Sequence, residues 1–274
     1  MRVDLHIHTT ASDGRWTPEQ VITGIQKTGI GLFAIADHDA VSNVIPTENL
    51  ARQHNLAFIR AVEISTTTGG HMYHILGYGI DPSYPPLVTA LVHNTAKLME
   101  TDNGDIQQLI ALGYPIDYAD YETYDYDRTR GGFKSYNYLL DHGFCTDTHD
   151  FFENVRSLLG HKWPEFIHPR EATRLIREAG GVPVLAHPEA NLEGGVTPAG
   201  LDAFAEYGIA GVECYSQYHN ATITARCVAW CRQHHAAITG GSDYHGGFVG
   251  RQLGVPVVTL AELELREIAQ HIIR

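Results

Sequence analysis

Short apolar runs alternate with helical patterns over the first 80 residues of the chain. A helical pattern begins at Thr17 with proline at its first helical position, and residues 43–55 fit a second helix. The apolar runs predict strands at residues 2–6, 31–36, 57–62 and 74–79. This alternation is typical of an α/β fold with a mainly parallel sheet.

The same alternation returns after residue 168. A helix predicted at 169–180 ends at Gly180-Gly181, and apolar runs predict strands at 182–186, 211–215, 237–240 and 255–259. Between the two regions the alternation stops, and seven of the fourteen tyrosines lie between Tyr114 and Tyr138. We therefore predict a barrel formed by residues 1–81 and 168–274, with residues 82–167 inserted as a small helical subdomain that decides the substrate.

The composition is that of a soluble globular enzyme. Hydrophobic residues make up 43% of the 274 positions and charged residues 19%, and no apolar run approaches the roughly 18 residues of a membrane span. The first residues lack the basic start and apolar stretch of a secretory signal. We therefore expect a cytoplasmic protein with no membrane association and no stable protein partner.

Four cysteines are too few for a disulfide framework in a chain of this length, so we expect free thiols. Cys227 and Cys231 lie four residues apart in a predicted helix. They could supply half of a zinc site. Because no further cysteine pair accompanies them, packing in the core is the favoured interpretation.

The net charge of −13 argues against a long polyanionic partner, because nucleic acids are bound chiefly through Lys and Arg. Bound divalent cations would reverse the local field without entering a sum over side chains. The 17 histidines make this exception worth pursuing, since imidazole is a common ligand of transition metals.

Potential metal ligands accompany the predicted strands repeatedly. In a (β/α) barrel, the carboxyl ends of the strands converge on one face, where catalytic groups gather. His74 opens an apolar run, and the residues that end or follow one are His6, His8, His38, Glu63, His187, Asp243 and His245. A single histidine at a strand end is ordinary, but the repetition predicts a catalytic centre of Mn, Fe or Zn.

These residues lie in ordered motifs that resemble those of the PHP (polymerase and histidinol phosphatase) family. The motifs are Asp4-Leu-His-Ile-His8, Ser12-Asp13-Gly14, Ala36-Asp-His-Asp39, Glu63, His74-Ile-Leu-Gly-Tyr, Leu185-Ala-His-Pro188 and Gly241-Ser-Asp-Tyr-His245. The resemblance covers residues 1–80 and 168–260. It implies a distorted (β/α)7 barrel with two to three divalent ions, forming a trinuclear metal centre when all are bound.

The resemblance also implies a ligand set for each ion. The first ion would take His6, His8, Glu63 and Asp243; the second Glu63, His74 and His187; and the third Asp13, His38 and His245. The aspartate at position 13 resembles the branch that hydrolyses nucleotides and small phosphoesters. That branch includes a phosphatase of 3′,5′-bisphosphorylated nucleosides and a 5′-to-3′ exoribonuclease.

The implied function is a metal-dependent phosphohydrolase for small phosphorylated compounds, either nucleotides or sugar phosphates. A hydroxide bridging two ions would be the nucleophile, and Asp13 or His245 would help protonate the leaving group. The alternative enzymes are a cyclic sugar phosphate phosphodiesterase and a 5′-3′ exonuclease on short oligonucleotides. An inactive metal-binding barrel is the non-enzymatic alternative. A C–N hydrolase is disfavoured because no lysine lies at the predicted strand ends.

The predicted insert carries a short basic cluster at residues 127–134. Similar subdomains in the family often have a Gly-Arg-x-His-like segment here, and this chain lacks that histidine. Arg130 and Lys134 are the predicted substrate phosphate ligands, holding a second phosphate or a 5-phosphate, since arginine offers a bidentate fork and lysine a point charge. Tyr136 or Tyr138 could stack on a base, although helix packing is favoured.

Three aspartates accompany the predicted metal ligands along the chain. We expect Asp4, Asp37 and Asp39 to orient ligand imidazoles, which metal sites commonly require.

Overall fold

The computed structural model describes residues 1–159, 163–192 and 194–274. Its strands are β1 (Arg2–Asp4), β2 (Ile30–Ile35), β3 (Ala57–Thr68), β4 (His71–Tyr78), β5 (Val182–Leu185), β6 (Gly211–Tyr215), β7 (Ala237–Gly240) and β8 (Val258–Thr259). They form one sheet in the order β7-β6-β5-β4-β3-β2-β1-β8. Each lies on or beside an apolar run of the sequence.

The sheet curls until its two ends meet, so that the barrel is nearly closed. The backbone amide of Leu5 donates to the carbonyl of Gly240 at 3.1 Å, and Ile7 forms a parallel bridge with Tyr244. Helices surround the strands. The predicted α/β class and distorted barrel are thereby confirmed.

The parallel order is interrupted at the β3–β4 hairpin and at β8, which is antiparallel to β1. β1, β2 and β3 are parallel, as are β5, β6 and β7, but β4 is antiparallel to both β3 and β5. β3 continues to Thr68, beyond the predicted end at residue 62, and turns through Gly69-Gly70, which both have positive φ. The pattern missed this extension because its threonines are polar, although β-branched side chains suit a strand.

The helices are amphipathic segments, and several of them begin at a residue that caps the first turn. Thr17 caps the first one with a capping box to Gln20, as its sequence indicates. They are α1 (Pro18–Thr28), α2 (Val44–Gln53), α3 (Pro85–Ala111), α4 (Tyr118–Thr123), α5 (Lys134–Asp141), α6 (Thr148–Asp150), α7 (Pro169–Glu178), α8 (Pro188–Asn191), α9 (Pro198–Tyr207) and α10 (Ala221–Gln233). Shorter 3₁₀ and π turns link them, at Arg128–Arg130, Phe151–Val155, Arg156–Leu159, Leu260–Glu262 and Arg266–His271.

The main hydrophobic core lies between the barrel strands and helices α7, α9 and α10. All four cysteines are buried free thiols. Cys227 and Cys231 are fully buried in this core, and no potential metal group of the described residues includes a cysteine. The packing interpretation of this pair therefore replaces the half zinc site.

The helices between β4 and α7 pack around a second apolar cluster. Its members include Tyr121, Tyr136, Tyr138 and Phe151, and all of them are buried. Tyr136 and Tyr138 thus serve in packing. The domain boundaries drawn from the sequence stay a prediction. Within the described part of the chain, no helix combines the length and apolar character of a membrane span.

Candidate metal centre

The predicted ligands meet at one edge of the barrel. Most follow the ends of β1, β2, β5 or β7, and these are His6, His8, His38, His187, Asp243 and His245. Glu63 lies within the long β3, where its backbone pairs with that of His38. β4 runs in the opposite direction, so its first half, which carries His74, reaches the same edge. This explains why His74 opens an apolar run while its partners close one.

The ligand atoms of these side chains form three groups, and within each group all atoms lie within 4.8 Å of one another. The groups are His6, His8, Glu63 and Asp243; His38, Glu63 and His74; and His8, Asp13, His38 and His245. Any two groups share one residue. Cations bound in them would therefore be neighbours that share ligands.

The groups can be compared with the ligand sets that the resemblance implies. The first group is identical to the implied first set. In the second group His38 stands where His187 was expected, and the third group gains His8. His187 lies just outside, with its Nε2 2.9 Å from Oε1 of Glu63. The predicted ligands converge, and their role in binding ions stays a prediction.

Glu63 is the common centre of this arrangement. Its side chain is fully buried, and its two oxygens lie within 3.3 Å of five imidazole nitrogens. Oε2 faces His6, His8 and His38, and Oε1 faces His74 and His187. A carboxylate in this position can bridge two ions.

Four of the predicted ligand atoms are buried without a hydrogen bond, although each lies close to another predicted ligand. These atoms are His38 Nδ1, Glu63 Oε2, His74 Nδ1 and Asp243 Oδ1. A buried polar atom without a partner costs about 1–3 kcal/mol, so their convergence calls for a compensating cation. Imidazole nitrogen and carboxylate oxygen form the donor set that suits Mn, Fe and Zn, so these residues fit divalent ions.

The charges of the side chains agree with this for the carboxylates, whereas His245 would release a proton on binding an ion. Burial alone would lower the pKa of His245, but the carboxylates of Asp13 and Asp243 outweigh it and raise that pKa to about 9. Burial disfavours the ionised form of Asp13 and Asp243, yet the surrounding imidazoles hold the pKa of both far below the usual range. The carboxylates therefore stay ionised, which is the form that binds cations.

A buried carboxylate behind the ligands orients two of the histidines. Glu213 on β6 is fully buried, and its Oε1 lies 3.0 Å from Nδ1 of His6. The backbone amide of His187 donates to its Oε2 at 2.9 Å, and Asn191 Oδ1 lies 2.8 Å from Nδ1 of that histidine. The sequence analysis missed Glu213, although a charged residue inside an apolar strand was a usable signal.

The three aspartates hydrogen-bond to the loops that carry the ligands, and their predicted role in orienting imidazoles stays a prediction. Asp4 accepts from Ser242 and Gly254, and Asp37 accepts from Thr9 and Ser12. Asp39 accepts from the amide of Ser65 and from Asn94. Among the described residues, these carboxylates hydrogen-bond to backbone amides and to hydroxyl or amide side chains rather than to imidazoles. They hold the loops that carry the ligands.

The two predicted phosphate ligands are engaged elsewhere. Arg130 forms a bidentate pair with Asp141, at 2.6 and 2.8 Å. Lys134 donates to the carbonyl of Glu122 at 2.9 Å and lies 4.8 Å above the ring of Tyr121. Their contact with a substrate phosphate stays a prediction. In this structure the guanidinium of Arg130 and the ammonium of Lys134 both bind other protein groups.

A different arginine contacts the candidate ligands. Arg251 forms an ion pair with Oδ2 of Asp243 and donates to the backbone carbonyl of the same residue at 3.0 Å. It lies in the loop after β7, beyond the last motif that the sequence analysis used. Nothing in its local pattern distinguishes it from a surface arginine.

Together these features define a metal-binding α/β barrel with its ligands at one edge. No family profile matches the chain. The 5′-3′ exoribonuclease Rnm of Escherichia coli is 30% identical over 264 residues, which are 92% of this chain and 89% of the relative. The chain belongs to the PHP family of metal-dependent phosphoesterases. It is accordingly a metal-dependent phosphoesterase.

Two further relatives show how the family varies in substrate. The phosphoribosyl 1,2-cyclic phosphate 1,2-diphosphodiesterase of Eggerthella lenta is 27% identical, over 89% of this chain and 94% of its own. The 3′,5′-nucleoside bisphosphate phosphatase of Chromobacterium violaceum is 27% identical, over 92% of this chain and 90% of its own. These relatives are therefore named for different phosphoester substrates.

Solved structures show the same fold. An amidohydrolase from Chromobacterium violaceum, with bound sulfate and no metal, is 26% identical and superposes with a TM-score of 0.81 over 100% of this chain and 98% of its own. A candidate metal-dependent phosphoesterase from Bifidobacterium adolescentis is 24% identical, with a TM-score of 0.85 over 99% and 96%.

Proposed function

We propose that this phosphoesterase hydrolyses small phosphorylated compounds, either nucleotides such as 3′,5′-bisphosphonucleosides or sugar phosphates. The observation that carries the proposal is the set of three ligand groups at one edge of the barrel, each of which shares a residue with the others. A relative named as a 3′,5′-nucleoside bisphosphate phosphatase supports the nucleotide alternative.

The proposed centre holds two to three Mn, Fe or Zn ions in the three groups. His6, His8, Glu63 and Asp243 would hold one ion. Glu63 would also be a ligand of the ion in the adjacent group of His38 and His74. Divalent ions bound here would neutralise phosphate charge and activate water for attack on phosphorus. Without catalysis, phosphoester hydrolysis is extremely slow.

The protein itself contributes orientation and proton transfer. Glu213 fixes the tautomer and direction of His6 and positions the backbone of His187. His245 Nε2 lies 3.4 Å from Oδ2 of Asp13. We assign this pair the delivery of a proton to the leaving oxygen when the third group holds no ion, since one imidazole and one carboxylate in contact can hold and release a proton.

Substrate size follows from charge. The net charge of −13 and the engagement of Arg130 and Lys134 argue against a long basic path for a nucleic acid strand. A short oligonucleotide or a cyclic sugar phosphate remains the alternative substrate, in line with the names of two relatives. The four free thiols favour action in a reducing compartment such as the cytoplasm.

Product formation by the Mn-loaded protein tests the proposal, followed as phosphate release for the monoesters and by chromatography of the products for the cyclic sugar phosphates and oligonucleotides. The panel contains 3′,5′-bisphosphonucleosides, 5′-phosphorylated oligonucleotides, cyclic sugar phosphates and histidinol phosphate. We expect one of the small compounds to be hydrolysed with the highest kcat/KM. Preference for oligonucleotides that grows with length would contradict the proposed substrate class, and silence across the panel with ions bound would contradict hydrolysis itself.

A further inference from the structure

Arg251 places a positive charge directly beside the candidate ligands. Its side chain is 17% exposed, and it forms an ion pair with the carboxylate of Asp243. Burial lowers the pKa of its guanidinium, while the nearby carboxylates of Glu63, Asp13 and Glu213 act in the opposite direction. An arginine nonetheless remains charged in a protein, so this side chain is a permanent cation at the centre.

The guanidinium is fixed on one edge and on one face. Its Nη1 donates to the backbone carbonyl of Asp243 at 3.0 Å and to the Oδ2 of the same residue. The face of the group lies over the ring of Tyr218, with its carbon 4.8 Å from the ring centre. Tyr218 in turn lies beside His187, with ring centres 5.3 Å apart. These contacts hold the fork still before any ligand arrives.

The other edge of the fork is open. Among the described residues, Nε and Nη2 of Arg251 have no hydrogen-bond partner, and neither atom is among the enclosed unpaired ones. Both atoms therefore reach solvent. Two parallel N–H groups on a planar fork match two oxygens of a phosphate, and holding the fork in place reduces the entropy lost on binding.

We propose that Arg251 binds the phosphoryl group of the substrate through Nε and Nη2, while Nη1 stays anchored on Asp243. The ligand class is a phosphate monoester or diester whose phosphorus lies at the metal centre. The inference rests on the proposed function and makes it more specific. It concerns the phosphoryl group at the metal centre, whereas Arg130 and Lys134 are predicted to hold a second phosphate or a 5-phosphate.

Binding of inorganic phosphate to the Mn-loaded protein, measured by calorimetry, tests the proposal. Arg251→Gln removes the charge and the fork, and Arg251→Lys keeps the charge alone. The control is Arg174→Gln, at an exposed arginine of α7 that pairs with Glu171 and Glu178. Metal content is determined for every variant at saturating Mn, so that phosphate affinity is compared at equal occupancy.

We expect Arg251→Gln to keep its ions and to bind phosphate about 10- to 100-fold more weakly, as expected for the loss of charge-assisted hydrogen bonds. Arg251→Lys should recover only part of this, because a lysine cannot form the bidentate contact. Free guanidinium should restore phosphate binding to an Arg251→Ala variant. The Arg174→Gln control should match the unmodified protein.

Two results would overturn the inference. Unchanged phosphate affinity of Arg251→Gln at full metal content would show that the fork does not touch phosphate. Loss of ions from Arg251→Gln at saturating Mn would assign the residue to holding Asp243 instead. Failure of the proposed function looks different, because the unmodified protein would then bind phosphate through Arg251 and still hydrolyse nothing in the panel.

Discussion

The ligand edge of the barrel and the helical insert both bury ionisable groups, but they treat them differently. In the insert, the buried Asp102 accepts hydrogen bonds from the amide and hydroxyl of Ser135. At the barrel edge, buried oxygens and nitrogens of Glu63, His38 and His74 approach one another and leave atoms without a hydrogen bond. Asp102 is hydrogen-bonded within the insert, whereas several potential metal ligands at the barrel edge keep atoms free for a cation.

The difference shows which buried groups can contribute free energy to the binding of a ligand. A satisfied buried group stabilises the fold and has little left for a ligand, while convergent unsatisfied groups are costly until a ligand arrives. Substitutions at the barrel edge should therefore change metal content and activity. Substitutions inside the insert should change stability and leave catalysis largely intact.

The largest effect is expected at Glu63. Glu63→Gln keeps the shape but removes the charge that faces five imidazoles. We expect loss of bound ions and a fall of kcat/KM by about 1,000-fold or more, since metal assistance is worth several kcal/mol. Metal analysis and phosphate release measure this. Retained ions with nearly normal turnover would remove Glu63 from the centre.

Asp102 tests the insert side of the comparison. Burial raises the pKa of Asp102 to about 6, above its value in an unfolded chain. The unfolded state then loses its proton first as pH rises, so the free energy of unfolding should fall by about 3 kcal/mol between about pH 4 and 6. Asp102→Asn should abolish this part of the fall, as measured by denaturant unfolding across that range.

The matched control for Asp102 is the exposed Glu100 of the same helix, α3. Glu100→Gln should follow the pH dependence of the unmodified protein. Turnover of Asp102→Asn at neutral pH should stay within about twofold, because its site lies in the apolar cluster of the insert. A large loss of turnover with intact stability would break the division between the two regions.

Glu213 tests orientation behind the ligands. Glu213→Gln retains an oxygen but removes the charge beside His6, and we expect metal affinity or activity to fall about 10- to 100-fold. Glu262→Gln, at a carboxylate that hydrogen-bonds only to Thr259 in the described structure, serves as the control. An unchanged metal affinity in the Glu213 variant would show that the imidazoles need no carboxylate behind them.

The smallest effect is expected at Arg130. Its pair with Asp141 lies at the surface, and exposed pairs contribute about 0–1 kcal/mol. Arg130→Gln should lower the free energy of unfolding by no more than that and leave KM within about twofold. A large rise in KM would instead support the phosphate contact predicted from the sequence.

The barrel edge could be predicted because its ligands are attached to strand ends. The apolar runs located His6, His38 and His187, and the convergence of strand ends brought them together. The antiparallel direction of β4 could not be predicted, because the apolar pattern of a strand is the same for either direction. The direction follows from the hairpin through Gly69-Gly70, which pairs β4 with β3.

Contacts between distant segments could not be predicted. Glu213 approaches His6 across 207 positions of the chain, and no local pattern records that approach. The sequence predicted Arg130 as a phosphate ligand, but in the fold it pairs with Asp141. Arg251 was not predicted as a site residue, because only the folded loop brings it to Asp243.

The most direct test of the central claim is a metal titration of the stripped protein, with phosphate release from the best panel substrate and bound ions per chain followed together. We predict no turnover without ions, and turnover that rises as two to three Mn ions bind per chain. Glu63→Gln should bind fewer ions and stay inactive. Full turnover by the metal-free protein, or saturation with ions and no hydrolysis, would contradict the account.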